Sequence, residues 1–303
     1  MLRFNPIYRK ETKTGARTMK IAAILVLFNS ILALVSFLMF YGTINGIRGI
    51  GVLDYSGLVD LYTTMAYIEF GIVILLVPAL TAGSVTGEKE RRTLDIMLAG
   101  NVRTITVVTG KLMACMQFIL ITVVSSFPVL SIVFVYGGIR FVNLLEFLAV
   151  ILVAGFFFGS MGILCSCICK KTTVAVIASY TGLLGFVVLT YGIVYGTGKL
   201  GESMAYMKSI QGNVFCIMLI NPAATIVELI SRQLDTVNGL DRMLFYHAPE
   251  NSRLMNNWTL YSVAVQAAAG VVFQLLASWV LDPLRFDFFG RLKRAYGKGS
   301  RKN

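Results

Sequence analysis

The sequence predicts an all-α membrane protein with six transmembrane helices and with both termini in the cytoplasm. Hydrophobic residues make up 56% of the 303 residues, charged residues only 14%, and the mean hydropathy is +0.76. Soluble domains carry about 25% charged residues, and a chain of this size cannot hide so much apolar surface from water. The composition therefore excludes a soluble enzyme, a secreted disulfide scaffold and a disordered chain.

Six predominantly apolar runs are long enough to cross a bilayer as helices, which takes about 20 residues each. They are too long and too continuously apolar for the alternating strands of a barrel. The spans of the transmembrane domain (21–281) are predicted at about 21–41, 62–82, 112–136, 144–168, 174–197 and 259–281.

The positive charges predict the orientation of these spans. Basic segments near span ends stay in the cytoplasm, and a cytoplasmic N-terminus puts 20 of the 27 Lys and Arg residues on the inner side. Residues 1–20 are then an interfacial segment on the inner membrane surface, drawn to anionic lipid, and residues 282–303 a basic cytoplasmic tail. The net charge of +12 is explained by this topology, so no nucleic acid partner is expected.

The outer loop 198–258 contains an apolar segment, 214–230, that is interrupted by Asn221 and Pro222. Proline removes a helical hydrogen bond, and the residue before it disfavours helix. The sequence leaves two alternatives for this segment: two short helices at the membrane surface, or a re-entrant pair.

The loop between the second and third spans carries charges of both signs, followed by Leu94, Met97 and Leu98 at helical spacing. This spacing predicts a short amphipathic helix on the inner side of the membrane. The alternative is a solvated loop whose helical spacing is incidental.

Residues 87–98 read GEKERRTLDIML, and Gly110-Lys111-Leu112 opens the third span. This pattern resembles the signature of the ABC-2 type transporter permeases, roughly G-E-K-E-x-x-T-L-x-x-L-L, with G-K before the third span. Residues 5–11 resemble the start of the same family, and the six-span layout agrees. One departure is that Gly100-Asn101 stands where many members have a proline.

The resemblance implies the membrane subunit of an ATP-driven exporter, and therefore a multi-pass protein of the cell membrane, namely a prokaryotic plasma membrane. Such permeases pair with a second permease subunit, identical or not, and with cytosolic ABC ATPases. ATP is bound by the ATPase, so this chain is expected to be no enzyme and to hold no cofactor. The family places a coupling helix at 86–100, and the residues assigned to it are Glu88, Lys89, Glu90, Arg91, Arg92, Thr93, Leu94, Met97 and Leu98.

Two residues of the second span are candidates for the translocation path. Glu69 lies roughly 10 Å below the outer end of this span, at about 1.5 Å per residue. It is either a substrate or proton site or a residue that faces a water-filled outer vestibule. Pro78 is expected to kink the span before the coupling loop. Gly155 and Gly159 form a G-x-x-x-G pair, which favours close packing either at a dimer seam or inside the bundle.

The remaining polar residues favour no other chemistry. Five cysteines, mostly in apolar runs, do not form the pattern of a disulfide framework, and His247 is the single histidine. A secondary transporter driven by an ion gradient is the alternative function. That class often shows internal repeats and several midplane ionisable groups, whereas this sequence shows no repeat and one clear intramembrane acid.

Overall fold

The computed structural model is a bundle of helices. It describes residues 6–16, 18–50, 55–94, 97, 103–137, 140–203, 216–234 and 257–282. The helices are α1 (Pro6–Ala16), α2 (Met19–Ile50), α3 (Tyr55–Thr81), α4 (Gly83–Glu90), α5 (Thr104–Gly137), α6 (Phe141–Ile168), α7 (Thr172–Ser203), α8 (Pro222–Gln233) and α9 (Trp258–Leu281), with a 3₁₀ turn at Cys216–Ile220.

Six candidate membrane spans lie within these helices: in α2, in α3 continued by α4, and in α5, α6, α7 and α9. The predicted all-α fold class with six spans is therefore confirmed. The third span, predicted at 112–136, lies in a helix that begins earlier, because α5 starts at Thr104. Hydropathy detects the length that lies in lipid, whereas this helix extends beyond Lys111 at the end of the bundle where α4 lies.

The core of the bundle lies around α6, which packs against α3, α5, α7, α8 and α9. The most apolar stretch of α6 is 67% buried, against 17% for α2 and 17% for α7. Phe157 of α6 lies at the centre, with its ring centroid 5.3 Å from that of Phe186 on α7 and 5.6 Å from that of Phe273 on α9. The helices α2 and α7 therefore form the periphery of the chain.

The glycines of α6 make contacts within the chain. A methyl group on Gly155 would lie 3.2 Å from Cδ1 of Ile119, and one on Gly159 would lie 2.9 Å from Cδ1 of Leu112. Both neighbours belong to α5. Of the two alternatives for the G-x-x-x-G pair, the structure therefore supports the internal helix contact.

The segment around Asn221 packs inside the bundle. Gln266, which lies about 12 Å along α9 from its first residue, donates from Nε2 to Thr225 Oγ1 over 2.7 Å. At the other end of α8, Gln233 accepts a hydrogen bond from Tyr62 and donates to the carbonyl of Asn143, near the first turns of α3 and α6. One end of α8 thus lies deeper than the other, and this geometry favours the re-entrant pair.

The break at Asn221 and Pro222 is capped from both sides. Asn221 Oδ1 accepts from the Ala223 amide over 2.9 Å, and its Nδ2 donates to Thr190 Oγ1 of α7 over 2.6 Å. Proline at the first helical position loses no bond, since that amide has no helical partner. The carbonyl of Leu219, which precedes the break, accepts from Ser262 Oγ over 2.7 Å.

Substituting Gly162 with Ala is expected to destabilise the protein by about 1–3 kcal/mol, the usual range for overpacking a tight contact. A methyl group there would overlap the side chain of Thr81 on α3. Thermal unfolding in detergent micelles measures the effect. The matched control is Gly185→Ala in α7, where a methyl group meets nothing within 4 Å. Equal melting temperatures for the two variants would contradict the close α3–α6 contact.

Candidate functional site

The signature segment begins where α3 passes into α4. Ala82 lies between the two helices in a helical conformation, with φ −62 and ψ −32, so the chain changes little in direction there. The first amides of a new helix have no intrahelical acceptor. Ser166 of α6 supplies one, because its hydroxyl accepts from the amides of Val85 and Thr86, each over 3.0 Å.

Lys89 holds the C-terminal end of α6. Its ammonium donates to the carbonyls of Ser166 over 3.3 Å, of Cys169 over 3.2 Å, and of Cys167. The last carbonyls of a helix lack intrahelical partners and carry partial negative charge. A lysine at this point therefore satisfies their hydrogen bonds and stabilises the helix dipole.

Glu90, the next residue, holds the N-terminal end of α7. Its carboxylate accepts from the Thr172 amide over 2.7 Å and from the Thr172 hydroxyl over 3.0 Å. Free amides at a helix start favour a negative charge. The adjacent Lys and Glu of the signature thus bind the negative end of one helix and the positive start of the next.

Glu88 takes part in a buried group of three charges. Lys111 of α5 donates to Glu88 Oε1 over 3.0 Å and to Glu11 Oε1 of α1 over 3.0 Å. The Lys111 side chain is 3% exposed, against 17% for Glu88 and 33% for Glu11. We call the contacts of Glu88, Lys89 and Glu90 the inner clamp, because they join α4 directly to α5, α6 and α7 and, through Lys111, to α1.

After the inner clamp, α4 ends in a Schellman motif, in which two amides beyond the helix bond back to its last carbonyls. The Arg92 amide donates to the Lys89 carbonyl over 3.1 Å, and the Thr93 amide to the Glu88 carbonyl over 3.0 Å. Arg92 occupies the left-handed position with φ 56, where glycine is usual. The coupling helix expected over 86–100 is therefore interrupted here.

The rest of the predicted contact separates into exposed and buried residues. Arg91, Arg92 and Thr93 are exposed, and we call them the exposed turn. Leu94 is only 6% exposed and belongs to an apolar cluster with residues of α1, α4, α5, α6 and α9. Met97 packs partly against this cluster, and Leu98 lies outside the described residues.

A family model described as ABC-2 family transporter protein matches residues 5–282 of the chain. The chain belongs to the ABC-2 transporter family. A comparison with curated proteins found no match. The protein is therefore a multi-pass membrane component of a transporter, and its family implies association with an ABC ATPase.

Glu69 of the permease lies in the core of the bundle. Its side chain is fully buried, and Oε1 accepts a hydrogen bond from Ser126 Oγ of α5 over 2.6 Å. Its other oxygen, Oε2, has no hydrogen-bond partner among the residues that the structure describes. Glu69 therefore does not face an open vestibule in this conformation, but lies between two spans with one acceptor unused.

Pro78 is buried near the end of α3. A proline in a membrane helix disturbs the carbonyls one turn earlier, and a neighbouring helix can supply the missing donors. The carbonyl that loses its helical donor to Pro78 is that of Ile74, four residues earlier. The next carbonyl, that of Leu75, accepts a hydrogen bond from the Tyr180 hydroxyl of α7 over 2.8 Å, which links α3 to α7 beside the proline.

The sequence did not predict some of the residues that bind the inner clamp. Ser166 and Thr172 carry no signal, because they are common residues at unremarkable positions in apolar runs. Glu11 and Lys111 did carry one. Glu11 is the only acidic residue of the first 20, and Lys111 is the only charged residue of the stretch 104–139. Two isolated opposite charges beside the membrane favour a mutual contact.

Substituting Lys89 with Met is expected to cost about 1.5–3 kcal/mol, the range for hydrogen bonds to a charged group, because the carbonyls at the end of α6 lose their donor. Chemical unfolding in detergent measures the loss. Lys170→Met is the matched control, since this neighbouring lysine is exposed. If both variants unfold at the same denaturant concentration, the contact of Lys89 with α6 contributes nothing.

Proposed function

We propose that this chain is the permease subunit of an ATP-driven exporter, and that the exposed turn docks on a separate cytosolic ABC ATPase. ATP binds to that partner, and the translocation path forms with a second permease subunit, identical or not, in the cell membrane. The observation that carries the proposal is the inner clamp. It fixes the turn that follows it to the inner ends of several spans.

The clamp changes which signature residues are candidates for docking. Glu88, Lys89 and Glu90 have partners inside the chain, so their contribution to docking is indirect. Leu94 is buried within the chain. Direct contact with the ATPase is therefore assigned to Arg91, Arg92 and Thr93. The two arginines are positively charged, so charge complementarity favours an acidic docking surface on the ATPase.

A turn held in this way suits the transmission of force. A flexible loop would absorb a displacement of the ATPase, whereas a turn attached to helix ends moves the helices with it. Lys89 and Glu90 connect it to α6 and α7, and Glu88 connects it to α5 through Lys111. Closure of the ATPases would thus rock the spans between inward-facing and outward-facing states.

Glu69 and Pro78 are assigned to the translocation path. One carboxylate oxygen of Glu69 accepts no hydrogen bond from the described residues. We therefore expect Glu69 to bind a proton, or a cationic part of a substrate, when the spans separate. The same observation is what favours the alternative function, a carrier driven by an ion gradient. ATP-dependent transport that persists after the proton gradient is collapsed would decide for the exporter.

The docking assignment is tested by Arg91→Glu combined with Arg92→Gly, since glycine keeps the left-handed turn and removes the guanidinium. Loss of a desolvated interfacial charge costs about 2–5 kcal/mol, so affinity for the ATPase is expected to fall at least about tenfold. Co-purification from the native membrane and titration of the ATPase measure this. Lys13→Glu is the control, because Lys13 is an exposed cation of α1. Unchanged ATPase affinity in the double variant would place the docking surface elsewhere.

Cysteine labelling tests the proposed orientation. Cys169 is partly exposed at the end of α6, and position 240 of the outer loop 198–258 takes an introduced cysteine. With the N-terminus inside, a membrane-impermeant maleimide is expected to label position 240 from outside intact cells, and Cys169 only after the membrane is opened. Peptide mapping by mass spectrometry distinguishes the sites. Labelling of Cys169 in intact cells would reverse the topology.

A further inference from the structure

The buried ammonium of Lys111 joins three helices that are far apart in sequence. Its two carboxylate partners lie on α1 and on α4, and each is 3.0 Å away. No other single side chain described in the structure forms ion pairs to both of these helices. Because Lys111 is 3% exposed, water cannot replace either partner without opening the packing around it.

Further contacts beside the ion pair attach α1 to α5. Gln117, which lies further along α5, accepts hydrogen bonds from Tyr8 Oη over 2.6 Å and from Thr12 Oγ1 over 3.1 Å. Ile7 is buried in the apolar cluster that also contains Val85 of α4. The short helix α1 is therefore attached by side chains on more than one turn.

The charges of this group are unequal, with two carboxylates for one ammonium. A variant that loses Lys111 brings two like charges together in a buried site, whereas one that loses Glu11 leaves a balanced pair. Buried ion pairs often contribute little net stability, but they can fix one arrangement against others. The arrangement fixed here is the position of α1 and α4 on α5.

We propose that Lys111 is a positioning residue that makes α1, α4 and the inner part of α5 move as one rigid body. A displacement of the exposed turn then reaches α1 and α5 together and is not lost in a tilt of α4. The displacement itself rests on the proposed function, because it comes from a docked ATPase. The rigid attachment of α1 does not.

The first experiment tests the rigid attachment in the chain alone. Amide hydrogen exchange is followed in α1 for the native protein, for Glu11→Gln, and for the neutral triple variant Glu11→Gln, Glu88→Gln, Lys111→Met. Exchange in α1 is expected to be about tenfold faster in both variants, since opening no longer breaks an ion pair. In Lys111→Arg the guanidinium group can bind both carboxylates, so the exchange of α1 should stay as slow as in the native protein. Native exchange in the neutral variant would overturn the proposal.

The second experiment uses the permease with its co-purified ATPase in lipid vesicles, with ATP and orthovanadate as the trap. Trapping is expected to change the exchange of α1 in the native complex. The Glu11→Gln variant, which keeps every residue of the inner clamp, should still hold the ATPase and hydrolyse ATP, but the exchange of its α1 should no longer respond to trapping; Lys111→Arg should respond as the native protein does. A full response of α1 in Glu11→Gln would overturn the role of Lys111. If the native chain holds no ATPase, the proposed function fails, while the first experiment still decides the attachment of α1.

Discussion

Every backbone donor and acceptor at the end of a helix needs a partner inside the protein when water is absent, and this constraint determines the polar contacts of the bundle. The helices are interrupted at several points, and at each of them a side chain forms the hydrogen bonds that the free backbone groups need. Ser166 accepts from the start of α4, Lys89 donates to the end of α6, and Glu90 caps the start of α7. Asn221 does the same at the start of α8. The conspicuous polar residues of the sequence are thus largely those that helix ends require.

The same constraint explains why the signature carries opposite charges side by side. A lysine suits the carbonyls at a helix end, and a glutamate suits the amides at a helix start. Since only three residues separate the end of α6 from the start of α7, Lys89 and Glu90 reach both from one turn of α4. The sequence places these mixed charges on a docking surface; in the fold, Glu88, Lys89 and Glu90 each also bind a partner within the chain. The neighbouring Arg91 and Arg92 remain exposed.

The sequence predicted what depends on composition and local pattern, and missed what depends on contacts between distant segments. Six spans followed from hydropathy, because lipid imposes their length. The role of Glu88 did not follow, since its partner Lys111 lies 23 residues away on a different helix. Glu146 lies close to Arg140 in the sequence, but its carboxylate binds Arg232 of α8 over 2.8 Å. Arg232 reaches Glu146 because α8 packs against α6. The spacing of residues along the chain does not predict that contact between two distant helices.

The glycine face of α6 has a consequence for the kind of movement that the bundle permits. Thr81 of α3 lies where any side chain larger than hydrogen at Gly162 would be, and Leu112 of α5 lies in the same way against Gly159. Sliding α6 along its axis by one residue, about 1.5 Å, would bring neighbouring side chains into these two narrow places. Rotation about the contact keeps the glycines in register. The bundle is therefore built to pivot at this crossing and to resist shear.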